Sequence, residues 1–210
     1  MNATEKRINA AAMRLFAERG STDLTISELA TEAGVARGTL YRNVESIERL
    51  FDRVREQLAF DIHDANVRVM DAHGDIDPPL RLAIGIRLLV RRAHENPAMG
   101  RFMVRFGLTD ESLREVLGGP PMRDIEQGIA SGRYTVSPGM ALSIAAMVTG
   151  AVVSAMWMVL EGHQAWRDAG AGAAELVLCA LGVPREEARE MVGVPLPDLP
   201  GLRPGDLHSN

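Results

Sequence analysis

Apolar residues recur with the period of an α-helix along nearly the whole chain. The first predicted helix has an apolar stripe with i, i+3, i+4, i+7, i+8 spacing, formed by Ile8, Ala11, Ala12, Leu15 and Phe16. No segment sustains the alternation of apolar and polar residues that is typical of a half-buried strand. The pattern therefore predicts an all-α fold.

Glycines and capping residues divide the first 50 residues into short helices. Gly20 suits the C-cap of the first helix. Thr25 and Glu28 have the spacing of a capping box, which indicates the start of a second helix. Gly34 suits the left-handed residue that ends it, and Ser46 is placed to cap a long fourth helix. We therefore expect three short helices followed by the start of a long one.

Prolines and glycines divide the rest of the chain in the same way. The stretch HGDIDPP at 73–79 is a helix breaker. After it the pattern predicts helices over 79–96, 98–106, 110–117, 121–131, 137–161, 168–181 and 184–192. The last residues, 195–210, are rich in proline, glycine and polar residues, so we expect a flexible tail.

Two short helices joined by a tight glycine turn form a helix-turn-helix, whose second helix enters the major groove of DNA. In the helix after Gly34, Leu40 and Val44 share one side, and Gly38 and Arg42 lie nearly opposite. Arginine can bind guanine edges or phosphate, and hydroxyl groups can reach phosphate oxygens. These polar residues are therefore predicted to face DNA, although the spacing alone also fits an ordinary helical hairpin with a solvated face.

The charge distribution is compatible with one small basic face. The net charge is -5, which by itself argues against a nucleic-acid partner. Residues 1–55 sum to +1, however, and the remainder sums to -6. The segment from Gly34 to Val44 has two arginines and no acidic residue. The charged N-terminus and the single cysteine favour the cytoplasm.

The segment from Ile8 to Phe51, and above all LFAERG, ISELATEAGV and GTLY, resembles the DNA-binding domain of the TetR family of transcriptional regulators. The resemblance implies a three-helix domain with a helix-turn-helix over 1–50 and a helical ligand-binding and dimerisation domain over 51–194. It implies a ligand-responsive homodimeric repressor that binds a palindromic double-stranded operator. We expect no enzymatic activity, cofactor or metal. The alternative is a helical ligand-binding or interaction module that no longer binds DNA.

The resemblance also assigns DNA contacts position by position. The resulting set is Thr25, Ala36, Arg37, Gly38, Thr39, Tyr41 and Arg42. Thr25 is expected to touch phosphate, residues 37–39 to approach bases, and the last two members to grip the backbone. Val44 stands where the family usually has phenylalanine, and Ile47 stands where it usually has lysine. The loss of that lysine predicts weaker binding.

A long uncharged run in the second half allows several interpretations. The 21 residues from Met140 to Leu160 carry no charge and are long enough to cross a bilayer. The alternative is a core helix buried on nearly every side. Its flanks lack a basic cluster or an aromatic belt, so we expect no membrane partner. A small-residue stripe permits close helix contact, and the resemblance favours a dimer interface at Ala146, Gly150 and Ser154.

Two further groups of residues are candidates for small ligands. Large apolar side chains could line a cavity for a small apolar effector, although each could also be plain core: Phe102, Met103, Phe106, Met122, Met147 and Trp157. Carboxylates and histidines between 61 and 77 could hold a divalent metal, but their spacing matches no EF-hand or HExxH pattern. No nucleophile elbow, Walker loop or dinucleotide fingerprint occurs.

Overall fold

The computed structural model describes residues 1–71, 76–109, 111, 114 and 117–196, and all regular structure among them is helical. The helices are α1 (Ala3–Arg19), α2 (Ile26–Ala33), α3 (Arg37–Asn43), α4 (Ile47–Asp71), α5 (Pro78–Glu95), α6 (Pro97–Phe106), α7 (Pro120–Ala130), α8 (Ala141–Leu160), α9 (Trp166–Ala180) and α10 (Arg185–Gly193). The predicted all-α fold is confirmed. Most of the predicted helix over 110–117 and the predicted tail from residue 197 onward lie outside the described residues.

The helix ends follow the capping signals in the sequence. Gly20 and Gly34 end α1 and α2 in the left-handed region, with φ of +68° and +61°. Thr25 accepts a hydrogen bond from the backbone N–H of Glu28, and the Glu28 side chain accepts one from the backbone N–H of Thr25. The Ser46 hydroxyl accepts the N–H of the third residue of α4. Local sequence therefore determines where these helices begin and end.

Helices α1–α4 enclose an N-terminal core, and α6 completes it. The Phe51 ring of α4 lies 5.2 Å from that of Phe16, 5.6 Å from that of Phe102 and 5.0 Å from that of Phe106. Edge-on and tilted aromatic pairs at such distances are favourable beyond the area that they bury. The N-terminal core thus extends past residue 50 and takes two aromatic residues from α6.

The second core lies in the larger C-terminal body. Helix α5 packs against α7, α8 and α9, and α10 packs on α9 and α5. Its fully buried large side chains include Val90, Ile125, Met156, Val177, Leu178 and Leu181. Burial of this aliphatic surface is the main source of stability expected for such a body.

The uncharged run differs from two expectations. A 3₁₀ turn at Pro138–Met140 precedes α8, so the predicted continuous helix over 137–161 is wrong at its start. The reading of a core helix buried on nearly every side is also wrong. By length and composition alone, Pro138–Leu160 could cross a membrane. Only 39% of its most apolar 18-residue stretch is buried inside the protein, however. Helix α8 packs on α5, α6 and α9 with one face and leaves an apolar face exposed.

Candidate nucleic-acid interface

The turn between α2 and α3 is held by an arginine from α1. Arg7 Nη2 donates to the carbonyl oxygen of Ala33, at 2.8 Å, and to that of Gly34, at 2.6 Å. Carbonyls at the end of a helix lack partners within the helix, and a cation there is favourable. Arg7 therefore fixes the angle at which α3 leaves α2.

A second arginine holds the other end of α3. Arg53 of α4 donates from Nε to the Asn9 side-chain oxygen and from Nη1 to the Asn43 carbonyl oxygen, each at 3.1 Å. The guanidinium thus ties α1, α3 and α4 together. Neither Arg7 nor Arg53 was predicted from the sequence, since each is far along the chain from the carbonyl groups that it binds.

Helix α3 presents one buried side and one open side. Leu40 is fully buried and Val44 is 6% exposed, whereas the Tyr41 side chain is 69% exposed. Arg37, Gly38 and Arg42 are exposed as well, and a Cβ added at Gly38 would meet no neighbouring atom within 4 Å. The backbone at Gly38 is therefore open to another molecule. The structure brings four of the predicted DNA-binding residues together on this open side.

The other predicted contacts lie at the edges of that side. Ala36 is the exposed N-cap of α3, and Thr39 is half-buried. The exposed Thr25 uses its hydroxyl group within the protein, donating to a Glu28 carboxylate oxygen at 2.6 Å. Hydrogen bonds from Thr25, with further support from Arg19, hold the pKa of Glu28 at about 2. The phosphate contact of Thr25 stays a prediction.

An open groove of about 500 Å³ separates the end of α3 from the start of α4. It is lined by Tyr41, Arg42, Asn43, Val44, Glu45, Arg49, Leu50 and Arg53. Ile47 is half-buried against the N-terminal core, so it does not occupy this surface. Arg42 and Arg49 are exposed, and the lining contains one acidic side chain. Basic side chains outnumber acidic ones in this groove, and it lies beside the open side of α3. Such a groove is suited to bind the phosphate backbone of a nucleic acid.

The predicted effector residues do not form one group. Phe102 and Phe106 belong to the aromatic contacts of the N-terminal core. Met103, Met122 and Met147 pack in or against the core of the body. The last member, Trp157, is 45% exposed, and its ring lies 5.2 Å from that of His163 at an interplanar angle of 50°. Of the suggested metal ligands, the side chains of His63 and Asp71 and residues 72–75 lie outside the described part of the chain.

The predicted dimer stripe lies on the exposed face of α8. Ala146 and Ser154 are exposed, and a Cβ added at the half-buried Gly150 would meet no neighbouring atom within 4 Å. The face continues to Leu142, which is 59% exposed, and α9 adds Leu176, which is 69% exposed. Exposed apolar side chains on two helices that pack together are typical of an interaction surface.

A helix-turn-helix with an open basic side, joined to a helical body, defines the class of DNA-binding transcriptional regulators. Comparison with known families agrees: residues 8–54 match the family described as bacterial regulatory proteins, tetR family. Residues 77–193 match the tetracyclin repressor-like, C-terminal domain. The chain belongs to the TetR family, and it is a DNA-binding transcriptional regulator.

Curated relatives match part of the chain. A nucleoid occlusion factor, SlmA, of Photobacterium profundum is 30% identical over 113 residues, which are 54% of this chain and 57% of that protein. An uncharacterized HTH-type transcriptional regulator of Mycobacterium tuberculosis is 34% identical over 97 residues, 44% of this chain and 45% of its own length. The chain thus spans about half the length of the curated relatives that it matches.

Solved structures match over most of the length. RolR in complex with resorcinol is 28% identical, with a TM-score of 0.69, over 93% of this chain and 96% of that one. A putative tetR family transcription regulator from Shewanella is 21% identical, with a TM-score of 0.71, over 86% of this chain and 99% of that one. The second likeness concerns the fold alone.

Proposed function

We propose that the chain acts in the cytoplasm as a homodimeric repressor, without catalytic activity, and releases a two-fold symmetric operator when a small molecule binds the body. The open side of α3 is the observation that carries this proposal. Arg37, Tyr41 and Arg42 project there from a helix whose other side is anchored by the buried Leu40 and Val44. Loss of an exposed side chain on this helix should weaken DNA binding without loss of the fold.

The exposed face of α8 supports the dimer. An apolar stripe that ends in a 45% exposed Trp157 is costly in water, and a second copy would cover it. Gly150 in mid-helix costs about 1 kcal/mol relative to alanine, and close approach of a partner helix offsets that cost. A symmetric dimer would hold two α3 helices about 34–36 Å apart, one turn of the DNA groove.

The comparison with RolR supports a small effector, since that protein of similar fold was solved in complex with the ligand resorcinol. Helix α6 supports a route between ligand and DNA, because its Phe102 lies in the N-terminal core while Met103 packs against the core of the body. A ligand shifts such an equilibrium only if it prefers the released arrangement.

The test uses a fluorescent duplex from the DNA upstream of the chain's own gene. Arg37→Ala should weaken its binding by about 1–3 kcal/mol and relax sequence choice. Tyr41→Phe should also weaken binding through loss of its hydroxyl group. Arg123→Ala, an exposed arginine on α7, serves as the control and should bind like wild type. If both α3 variants match wild type while their melting temperatures are unchanged, α3 is not the recognition helix.

A further inference from the structure

The guanidinium of Arg92 on α5 is buried inside the body without sufficient hydrogen bonds. Arg92 is 4% exposed. Its Nε and Nη2 atoms have no hydrogen-bond partner among the residues that the structure describes. A buried charge with unsatisfied N–H groups is strongly unfavourable unless an acceptor is supplied. This feature has no role in the fold or in the DNA surface described above.

Two acidic groups lie near Arg92, but both are bonded elsewhere. Glu95 accepts from Arg91 Nε at 2.8 Å, and Asp61 of α4 accepts from Gln57 Nε2 at 2.8 Å. Burial lowers the pKa of Arg92, and the charges of Asp61 and Glu95 partly oppose that shift. The charges of Asp61 and Glu95 thus act on the guanidinium, but Nε and Nη2 of Arg92 have no acceptor among the described residues.

The positions of the two unpaired nitrogen atoms of Arg92 indicate what kind of group could bind them. Nε and Nη2 form the side edge of a guanidinium, where two N–H bonds run parallel and match the two oxygens of a carboxylate. Ile84 and Leu88 precede Arg92 at four-residue intervals on α5, and both are buried against Leu80 and Leu196. A cationic edge beside aliphatic side chains suits a small acid with a hydrocarbon body.

We propose that Arg92 anchors an effector site between α5 and α4 that binds a small organic carboxylate. This inference rests on the proposed ligand-responsive function and gives its ligand a chemical class. Helix α4 connects the two regions, since its first turns place Leu50 and Val54 in the N-terminal core and Asp61 follows two turns later. A carboxylate beside Arg92 repels Asp61, and that repulsion acts on the helix that supports α3.

The experiment measures binding by isothermal titration and by melting temperature. The probes are benzoate and hexanoate, with benzyl alcohol and 1-hexanol as neutral matches and inorganic phosphate as a second anion. Wild type should bind both carboxylates at least tenfold more tightly than the alcohols or phosphate. Arg92→Met should reduce that affinity at least tenfold, and Arg123→Met, at an exposed arginine on α7, should leave it unchanged.

Melting temperatures and a second variant distinguish a ligand-binding role of Arg92 from a purely structural one. Without ligand, Arg92→Met should melt at the wild-type temperature or above, because it removes a buried unpaired charge. A second variant, Arg92→Lys, keeps the charge but loses the two parallel N–H donors. It should therefore fold normally but bind the carboxylates more weakly than wild type does. The proposal fails if wild type binds neither carboxylate, if phosphate or the alcohols bind as tightly, or if both Arg92 variants bind like wild type. Carboxylate binding that leaves the operator complex intact would keep the site and refute the ligand-responsive function.

Discussion

Gly38 separates the requirements of DNA binding from those of folding, so Gly38→Ala is an informative substitution. Gly38 lies inside α3 with an ordinary helical backbone, and the added methyl group meets no neighbouring atom within 4 Å. Alanine is favoured over glycine within a helix by about 0.5–1 kcal/mol. The variant should therefore be as stable as wild type or more stable by up to that amount, as measured by chemical denaturation.

The same methyl group stands on the open side of α3, between the exposed Arg37 and Arg42. If the backbone approaches base edges there, the methyl group pushes the helix away, and operator affinity should fall at least tenfold, or about 1.4 kcal/mol. Gly85→Ala is the matched control, since Gly85 is also helical and also has open space around its Cβ position. Fluorescence anisotropy gives both affinities. Wild-type affinity for Gly38→Ala, at unchanged stability, would refute close approach of this helix to DNA.

Three further predictions concern the groove, the dimer and acid stability. Arg49→Gln should reduce the slope of log affinity against log salt by about 0.9 if Arg49 meets one phosphate, and an unchanged slope would remove it from the DNA surface. Gly150→Leu should leave the monomer folded, given the open space there, but sedimentation should show a split dimer; a normal dimer would place the interface elsewhere. The pKa of Glu28 is held at about 2 against 4.5 ordinarily, so its stabilisation is present above pH 4.5 and is lost as pH falls towards 2. Thermal melts of wild type and Glu28→Gln should therefore converge over that range, and a constant difference would contradict the assignment.

Local signals predicted the N-terminal helices well because their determinants lie within a few residues. The capping box at Thr25 and the left-handed glycines at 20 and 34 stand where they were expected. The inward Leu40 and the outward Gly38 and Arg42 followed from helical periodicity alone. The start of α8 was missed because helical periodicity does not distinguish an α-helix from the short 3₁₀ turn at Pro138–Met140 that precedes it.

Contacts between distant segments could not be predicted in the same way. Arg7 and Arg53 bind backbone carbonyls 26 and 10 residues away, and no periodic pattern marks such pairs. Phe102 was assigned to an effector cavity, yet it packs against Phe51 in the N-terminal core. Arg92 lies on a helix face that the sequence pattern alone does not identify as buried. Each of these positions depends on tertiary packing, which side-chain type does not encode.

Hydroxyl-radical footprinting of the wild-type protein on its upstream DNA tests the central claim most directly. The account predicts protection of two half-sites of inverted sequence, with centres about one helical turn or 34–36 Å apart. The protection should fade for Arg37→Ala at a concentration that saturates wild type. Protection of a single half-site by wild type, or protection that Arg37→Ala leaves intact, would contradict a dimer that reads DNA through α3.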